Sequence, residues 1–193
     1  MLGKLREVLD NYLTFLANNL NKVGITPNHV TLTSIPFCIL ASLFYYYKIP
    51  LIAGIFLMIM GFIDILDGSL ARITHKESLK GAILDTMLDR FTENIPIIFL
   101  GISSLANWLL VSLTVFFTTL PSFIRAKIEG LLKEVPITVK YSIGERGERL
   151  LVLILLSLIY PLYNEILNIA LIIIIILALY ATFLRVIYIL KQI

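Results

Sequence analysis

Apolar stretches at residues 27–47, 51–73, 79–104, 107–132, 147–162 and 164–189 occupy most of this 193-residue chain. A helix of about 20 such residues crosses the hydrocarbon of a bilayer. Within that hydrocarbon only helices or closed barrels satisfy their own backbone. The composition agrees with lipid as solvent: 59% of residues are hydrophobic and 15% charged, against about 45–50% and about 25% in a soluble domain. The expected fold is an all-α integral membrane domain over 1–193, with a six-helix transmembrane bundle at 27–189 and no separate soluble module.

Residues 1–22 lack the apolar core and small-residue cleavage site of a signal peptide. Leu2, Leu5, Leu9, Leu13, Leu16 and Leu20 recur at helical spacing with charged residues between them. That pattern suits a juxtamembrane amphipathic helix on the membrane surface, or equally a helix packed on the protein's own face. Thr26-Pro27-Asn28 reads as a cap followed by a proline at the first helical position. With six spans, every one of the 16 lysines and arginines except Lys48 falls on the side that holds both termini. Such a bias marks the cytoplasmic face, so the expectation is a multi-pass protein of the cell membrane with both termini in the cytoplasm.

One cysteine, Cys38, excludes an intramolecular disulfide and a thiolate metal site. The net charge of +3 is small and its basic residues form no stripe with interleaved aromatics, which excludes nucleic acid as the expected partner. His29 and His75, the two histidines, read as surface or turn residues, and Pro96 as a bend in the third span.

Four aspartates, Asp64, Asp67, Asp85 and Asp89, stand near the cytoplasmic ends of the second and third spans. Each charge placed in a membrane helix costs at least roughly 2.5–3.5 kcal/mol, and four of one sign repel. Protonation, basic partners or bound cations must neutralise them. Spacings of three and four put each pair on one helix face, and the short turn at 74–78 makes the two helices antiparallel neighbours. Converging carboxylates suit Mg²⁺ or Mn²⁺. Gly68, Ala71 and Gly81 fall on the same stripes; they leave room for a ligand, or they serve helix packing. Arg72 at the mouth can meet phosphate oxygens with two parallel bonds. With the active site at this end, catalysis would occur at the cytoplasmic surface. Intramembrane aspartates also mark cation transporters, but those commonly carry repeated halves, and here the acidic cluster occurs once.

These residues resemble the signature of the CDP-alcohol phosphatidyltransferase family, D-x2-D-G-x2-A-R-x8-G-x3-D-x3-D. Asp64, Asp67, Gly68, Ala71, Arg72, Gly81, Asp85 and Asp89 fill every fixed position. The resemblance implies that a CDP-linked lipid is attacked at its lipid-proximal phosphorus by an alcohol, with release of CMP. It implies that Asp64, Asp67 and Asp85 hold one or two Mg²⁺ or Mn²⁺ ions, joined by Asp89, which would also act as the base. Asp67, Gly68, Ala71, Arg72 and Gly81 would receive the cytidine nucleotide, and the enzyme would be a homodimer.

The acceptor is expected to meet Ser122 and Arg125 on the fourth span, Arg146 and Arg149 on the fifth and Arg185 on the sixth. Arginines from three helices would make a pocket for a phosphorylated alcohol; the positive-inside bias alone also places arginines there. Ser122 to Gly130, the Glu145-Arg146-Gly147-Glu148-Arg149 element and Gly24 to Asn28 resemble the phosphatidylinositol-phosphate synthase branch and its archaeal counterpart. Inositol phosphate is therefore the expected acceptor, with glycerol 3-phosphate as the alternative. Glu93 continues the 81–85–89 stripe and is expected behind the metal ligands or paired with an arginine.

Overall fold

A computed structural model of the protein describes residues 14–16, 19–24, 26–74, 79–131 and 143–190, and among these there is no strand. Six long helices follow in order: α1 Pro27–Tyr46, α2 Pro50–Thr74, α3 Leu79–Ile102, α4 Trp108–Leu131, α5 Arg146–Ile159 and α6 Ile166–Leu190. A 3-10 turn, Tyr160–Leu162, closes α5. The expected spans and these helices agree to within a few residues at each end. Most of the surface helix expected over 1–22 lies outside the described residues, as do the 75–78 turn and most of the 133–144 loop.

Local chemistry explains the boundaries. Thr26 caps α1 in an extended conformation, Pro27 follows it, and the Thr26 amide donates to His29 Nδ1 at 3.4 Å. His29 is thus an exposed capping residue of α1. Lys48 and Ser104 take positive φ where the chain reverses between α1 and α2 and after α3. Such reversals keep the connections short, and α1 packs directly on α2 and α3 on α4.

Four helices are long and apolar enough to cross a membrane: Pro27–Tyr46, Pro50–Arg72, Trp108–Lys127 and Ile166–Tyr188. The six-span expectation is met in part. α3 falls short because Asp85, Asp89, Arg90 and Glu93 interrupt it. α5 falls short by length: its 14 residues rise roughly 21 Å, below the ~30 Å hydrocarbon thickness.

α2 packs against α1 and α5, α3 against α1 and α4, and α6 against α4 and α5. One apolar core joins them through Tyr45, Leu57, Met60, Leu100, Leu171 and Ile174, all at most 1% exposed. Close approach is built from small residues. A Cβ at Gly54 of α2 would stand 3.0 Å from Ser157 Cβ and 3.3 Å from the Ile154 carbonyl of α5. A Cβ at Gly101 would stand 2.9 Å from the ring of Trp108. At this end the buried Tyr45 hydroxyl and Ser157 Oγ share a 2.6 Å hydrogen bond. Cys38 is buried with its thiol 3.8 Å from the Thr92 carbonyl, as expected for a packing residue. Large apolar side chains such as Met58, Phe116, Ile176 and Phe183 cover the outside. Lipid tails are the solvent that suits them.

Candidate active site

The opposite end of the bundle holds the charges. Asp64 and Asp67 lie in the last three turns of α2, and Asp85 and Asp89 in the first three of α3. Antiparallel α2 and α3, each packed on α1, bring Asp64, Asp67 and Asp85 together, with one carboxylate oxygen from each within 4.8 Å of the others. Two oxygens on opposite sides of an ion at roughly 2.1 Å each are about 4.2 Å apart. A slight contraction therefore closes this group around one hard divalent cation. Asp67 is 7% exposed, and its Oδ2 is buried without a hydrogen-bond partner. A buried carboxylate oxygen left this way carries a large desolvation cost, which a cation removes. The residues fit a metal of the Mg²⁺ or Mn²⁺ type.

Asp89 lies outside that group of three and faces a different cation. Arg146, at the first position of α5, places Nη1 2.8 Å and 2.9 Å from the two oxygens of Asp64. The same nitrogen lies 2.5 Å from Asp89 Oδ1, and Nη2 donates to Thr92 Oγ1 at 2.7 Å. Its side chain is 13% exposed. Arg146, expected on the acceptor side, engages Asp64 and Asp89 in this structure.

One turn deeper, Glu93 is paired with arginine, one of the two roles its stripe suggested. Arg149 Nε donates to Glu93 Oε1 at 2.7 Å, and Arg149 Nη2 stands 2.6 Å from the same oxygen. Arg90 Nη1 reaches the other oxygen at 2.9 Å and also donates to the Thr118 carbonyl of α4 at 3.1 Å. Arg149, 3% exposed, donates through Nη1 to the Gly144 carbonyl at 2.6 Å. Gly144 has φ +92°, and a Cβ there would collide with the Leu177 carbonyl of α6. Only glycine suits that conformation and that approach. Its amide donates to Glu148 Oε2 at 2.6 Å. The start of α5 is therefore clamped between α3 and α6.

The remaining expected residues line the same end. Gly68 is half-buried and Ser69 buried on α2, and Arg72 Nη2 donates to Ser69 Oγ at 3.0 Å. Ala71 and Gly81 are half-buried near the mouth. On α4, Ser122 is half-buried and Arg125 exposed. Arg185 of α6 donates to the Pro121 carbonyl at 2.7 Å and is within electrostatic reach of Arg125, Glu145, Arg149 and Arg90. Thr92 and Arg90 were not anticipated. Thr92 lies seven residues after Asp85 and three after Asp89, so the helical face that carries the aspartates already contained it.

Residues 24–190 match the CDP-alcohol phosphatidyltransferase family. The archaetidylinositol phosphate synthase of Pyrococcus horikoshii is 33% identical over 82% of this chain and 82% of its own length. The fold resembles that of Mycobacterium tuberculosis phosphatidylinositol phosphate synthase in complex with manganese and citrate, with TM-score 0.76 and 18% identity over 91% of this chain and 88% of the other. The CDP-DAG-bound form of that synthase gives TM-score 0.72 at 19% identity, covering 92% and 91%. From an acidic cluster at one end of an apolar helical bundle, and from the length of that match, the chain belongs to the CDP-alcohol phosphatidyltransferase family as a multi-pass membrane protein.

Proposed function

We propose that the protein transfers the phosphatidyl-type group of a CDP-linked lipid, with diacylglycerol or archaeol as its tail, to a hydroxyl of a phosphorylated polyol, foremost inositol phosphate, and releases CMP. The convergence of Asp64, Asp67 and Asp85 carries this reading. A divalent Mg²⁺ or Mn²⁺ ion held there, one or two in number, would neutralise diphosphate charge. The relative named archaetidylinositol phosphate synthase and the solved synthase with CDP-DAG bound support both donor and acceptor.

The chain's residues divide the work as follows. Asp67, Gly68, Ala71, Arg72 and Gly81 receive the nucleotide, the small residues leaving room at the backbone and Arg72 meeting phosphate oxygens. Ser122, Arg125 and Arg185 meet the acceptor, joined by Arg146 once it leaves the aspartates, and the three guanidinium groups are matched to its phosphate. Asp89 accepts the proton of the acceptor hydroxyl as its oxygen bonds to the lipid-proximal phosphorus. The bond from that phosphorus to the bridging oxygen breaks, and CMP departs with the electron pair. Asp85 serves both the cation and the reacting groups. We read α3 and α5 with its 3-10 turn as the two further crossings of a six-span bundle, with active site and termini cytoplasmic. The family resemblance adds a homodimer, which light scattering of the detergent-solubilised protein tests.

The deciding experiment follows CMP release from a CDP lipid with inositol 1-phosphate, glycerol 3-phosphate, serine and inositol in parallel. Release with inositol 1-phosphate that stops on chelation and returns with Mn²⁺ is the expected result. Release with serine alone, or release indifferent to chelator, overturns the reading.

A further inference from the structure

Arg146 places a single nitrogen against both oxygens of Asp64, at 2.8 Å and 2.9 Å, and against Asp89 at 2.5 Å. Asp64 is also one of the three carboxylates that converge with Asp67 and Asp85. One carboxylate is thus claimed from two directions, by a guanidinium and by the group that fits a divalent ion. We propose that Arg146 is a tethered internal counter-cation of the acidic cluster: it holds Asp64 and Asp89 in place of a metal ion and must release them before a divalent ion binds tightly. The inference rests on the reading that this cluster binds a divalent cation.

One electrostatic principle and two observations carry it. Two positive charges a few ångströms apart repel strongly where water is scarce, so the guanidinium and a cation cannot both be held close to Asp64 without mutual cost. The arginine's pose also serves the carboxylates better than it serves Arg146, because its Nε is buried with no hydrogen-bond partner. A buried donor left unmade favours any alternative that satisfies it. Finally, the backbone beneath Arg146 is fixed. Arg149 ties Gly144 to Glu93, and Gly144 fits against Leu177 with no space for a Cβ. Release is therefore a rotation of the Arg146 side chain about a stationary helix start, and the guanidinium stays near the site. Freed from Asp64 and Asp89, it becomes available to the acceptor's phosphate, so cation binding precedes acceptor binding.

The test is direct binding of Mn²⁺, read by electron paramagnetic resonance, to the full-length protein in lipid nanodiscs without substrates. Wild type, Arg146→Gln and Thr92→Val are compared, with Asp67→Asn as the variant expected to lose the site. Removing the competing charge is expected to tighten Mn²⁺ binding about tenfold in R146Q. Removing the hydroxyl that anchors Nη2 is expected to tighten it about threefold in T92V, with all charges kept. Unchanged or weaker Mn²⁺ affinity in folded R146Q overturns the proposal while leaving the metal site standing. Should R146Q fail to fold, T92V decides alone: tighter binding supports the counter-cation, and equal or weaker binding ends it. Absence of Mn²⁺ binding in wild type and both variants removes the metal reading, and this proposal with it.

Discussion

Around Tyr45, Gly54 and Ser157, polar groups are buried only where a partner stands ready: the tyrosine hydroxyl meets Ser157 at 2.6 Å, and Ser42, Ser103 and Thr114 bond carbonyls of their own helices. Around Asp67, Arg90, Glu93 and Arg146, at the other end of the bundle, each residue carries a buried polar atom with no hydrogen-bond partner. Among the described residues such atoms occur at this end alone. Buried polar groups in folded proteins are nearly always satisfied. The far end is arranged for packing, whereas at the acidic end Asp67 Oδ2 and Arg146 Nε keep hydrogen-bonding capacity that a cation or a substrate can meet, Glu93 Oε2 being already ion-paired with Arg90 at 2.9 Å. Sequences tend to break the packing rules where function requires it.

The sharpest way to break this contrast is Asp89→Asn. It preserves shape but removes the carboxylate proposed as proton acceptor, and CMP release is expected to fall about 10²–10⁴-fold, measured with saturating donor and acceptor. Near-normal turnover would move the base elsewhere. Next comes Glu93→Leu, which leaves the buried guanidinium of Arg149 without its carboxylate. An expected loss of about 3–5 kcal/mol, read by denaturant unfolding in micelles, would show that the clamp on α5 is structural as well as electrostatic. At the opposite end, Gly54→Ala forces α2 away from α5 and is expected to cost about 1–3 kcal/mol, with the KM for the acceptor unchanged. Tyr45→Phe removes one hydrogen bond and is expected to cost about 1 kcal/mol, again without effect on CMP release. Large kinetic defects from either far-end change would erase the division between the two ends.

The sequence already contained the helices, because long apolar runs bounded by Pro27, Pro50 and the reversal near Asn107 leave the backbone little choice. It also contained part of the convergence of Asp64, Asp67 and Asp85, since i, i+3 and i, i+4 spacing puts each pair on one helix face; the shared packing of α2 and α3 on α1 then brings those faces together. It did not disclose that Arg146 engages Asp64, its partner 82 positions away, nor that Arg149 rather than a lysine or water meets Glu93. Periodicity reports which face of a helix a residue occupies, and it carries no term for which distant helix lies opposite. The Gly144 clamp was hidden for the same reason: the Leu177 carbonyl that forbids a side chain there belongs to a helix reached only through α5. The shortfall of α3 and α5 as membrane spans has another origin. Charge within α3 and brevity of α5 are plain in the sequence, but the expectation of six crossings rested on the balance of lysine and arginine across the whole chain.

Trp108, the single tryptophan of the chain, sits with its ring against Gly101 at the start of α4, at the end of the bundle away from the aspartates. Nature has thus given the protein one built-in optical reporter, and it looks at the hydrophobic end. Its emission is expected to follow whether α3 and α4 stay docked and to be insensitive to what occupies the carboxylates at the other end. Fluorescence and cation titration consequently read two separate properties of one molecule, so a variant that loses its chemistry can be told apart, in the same cuvette, from a variant that has lost its shape.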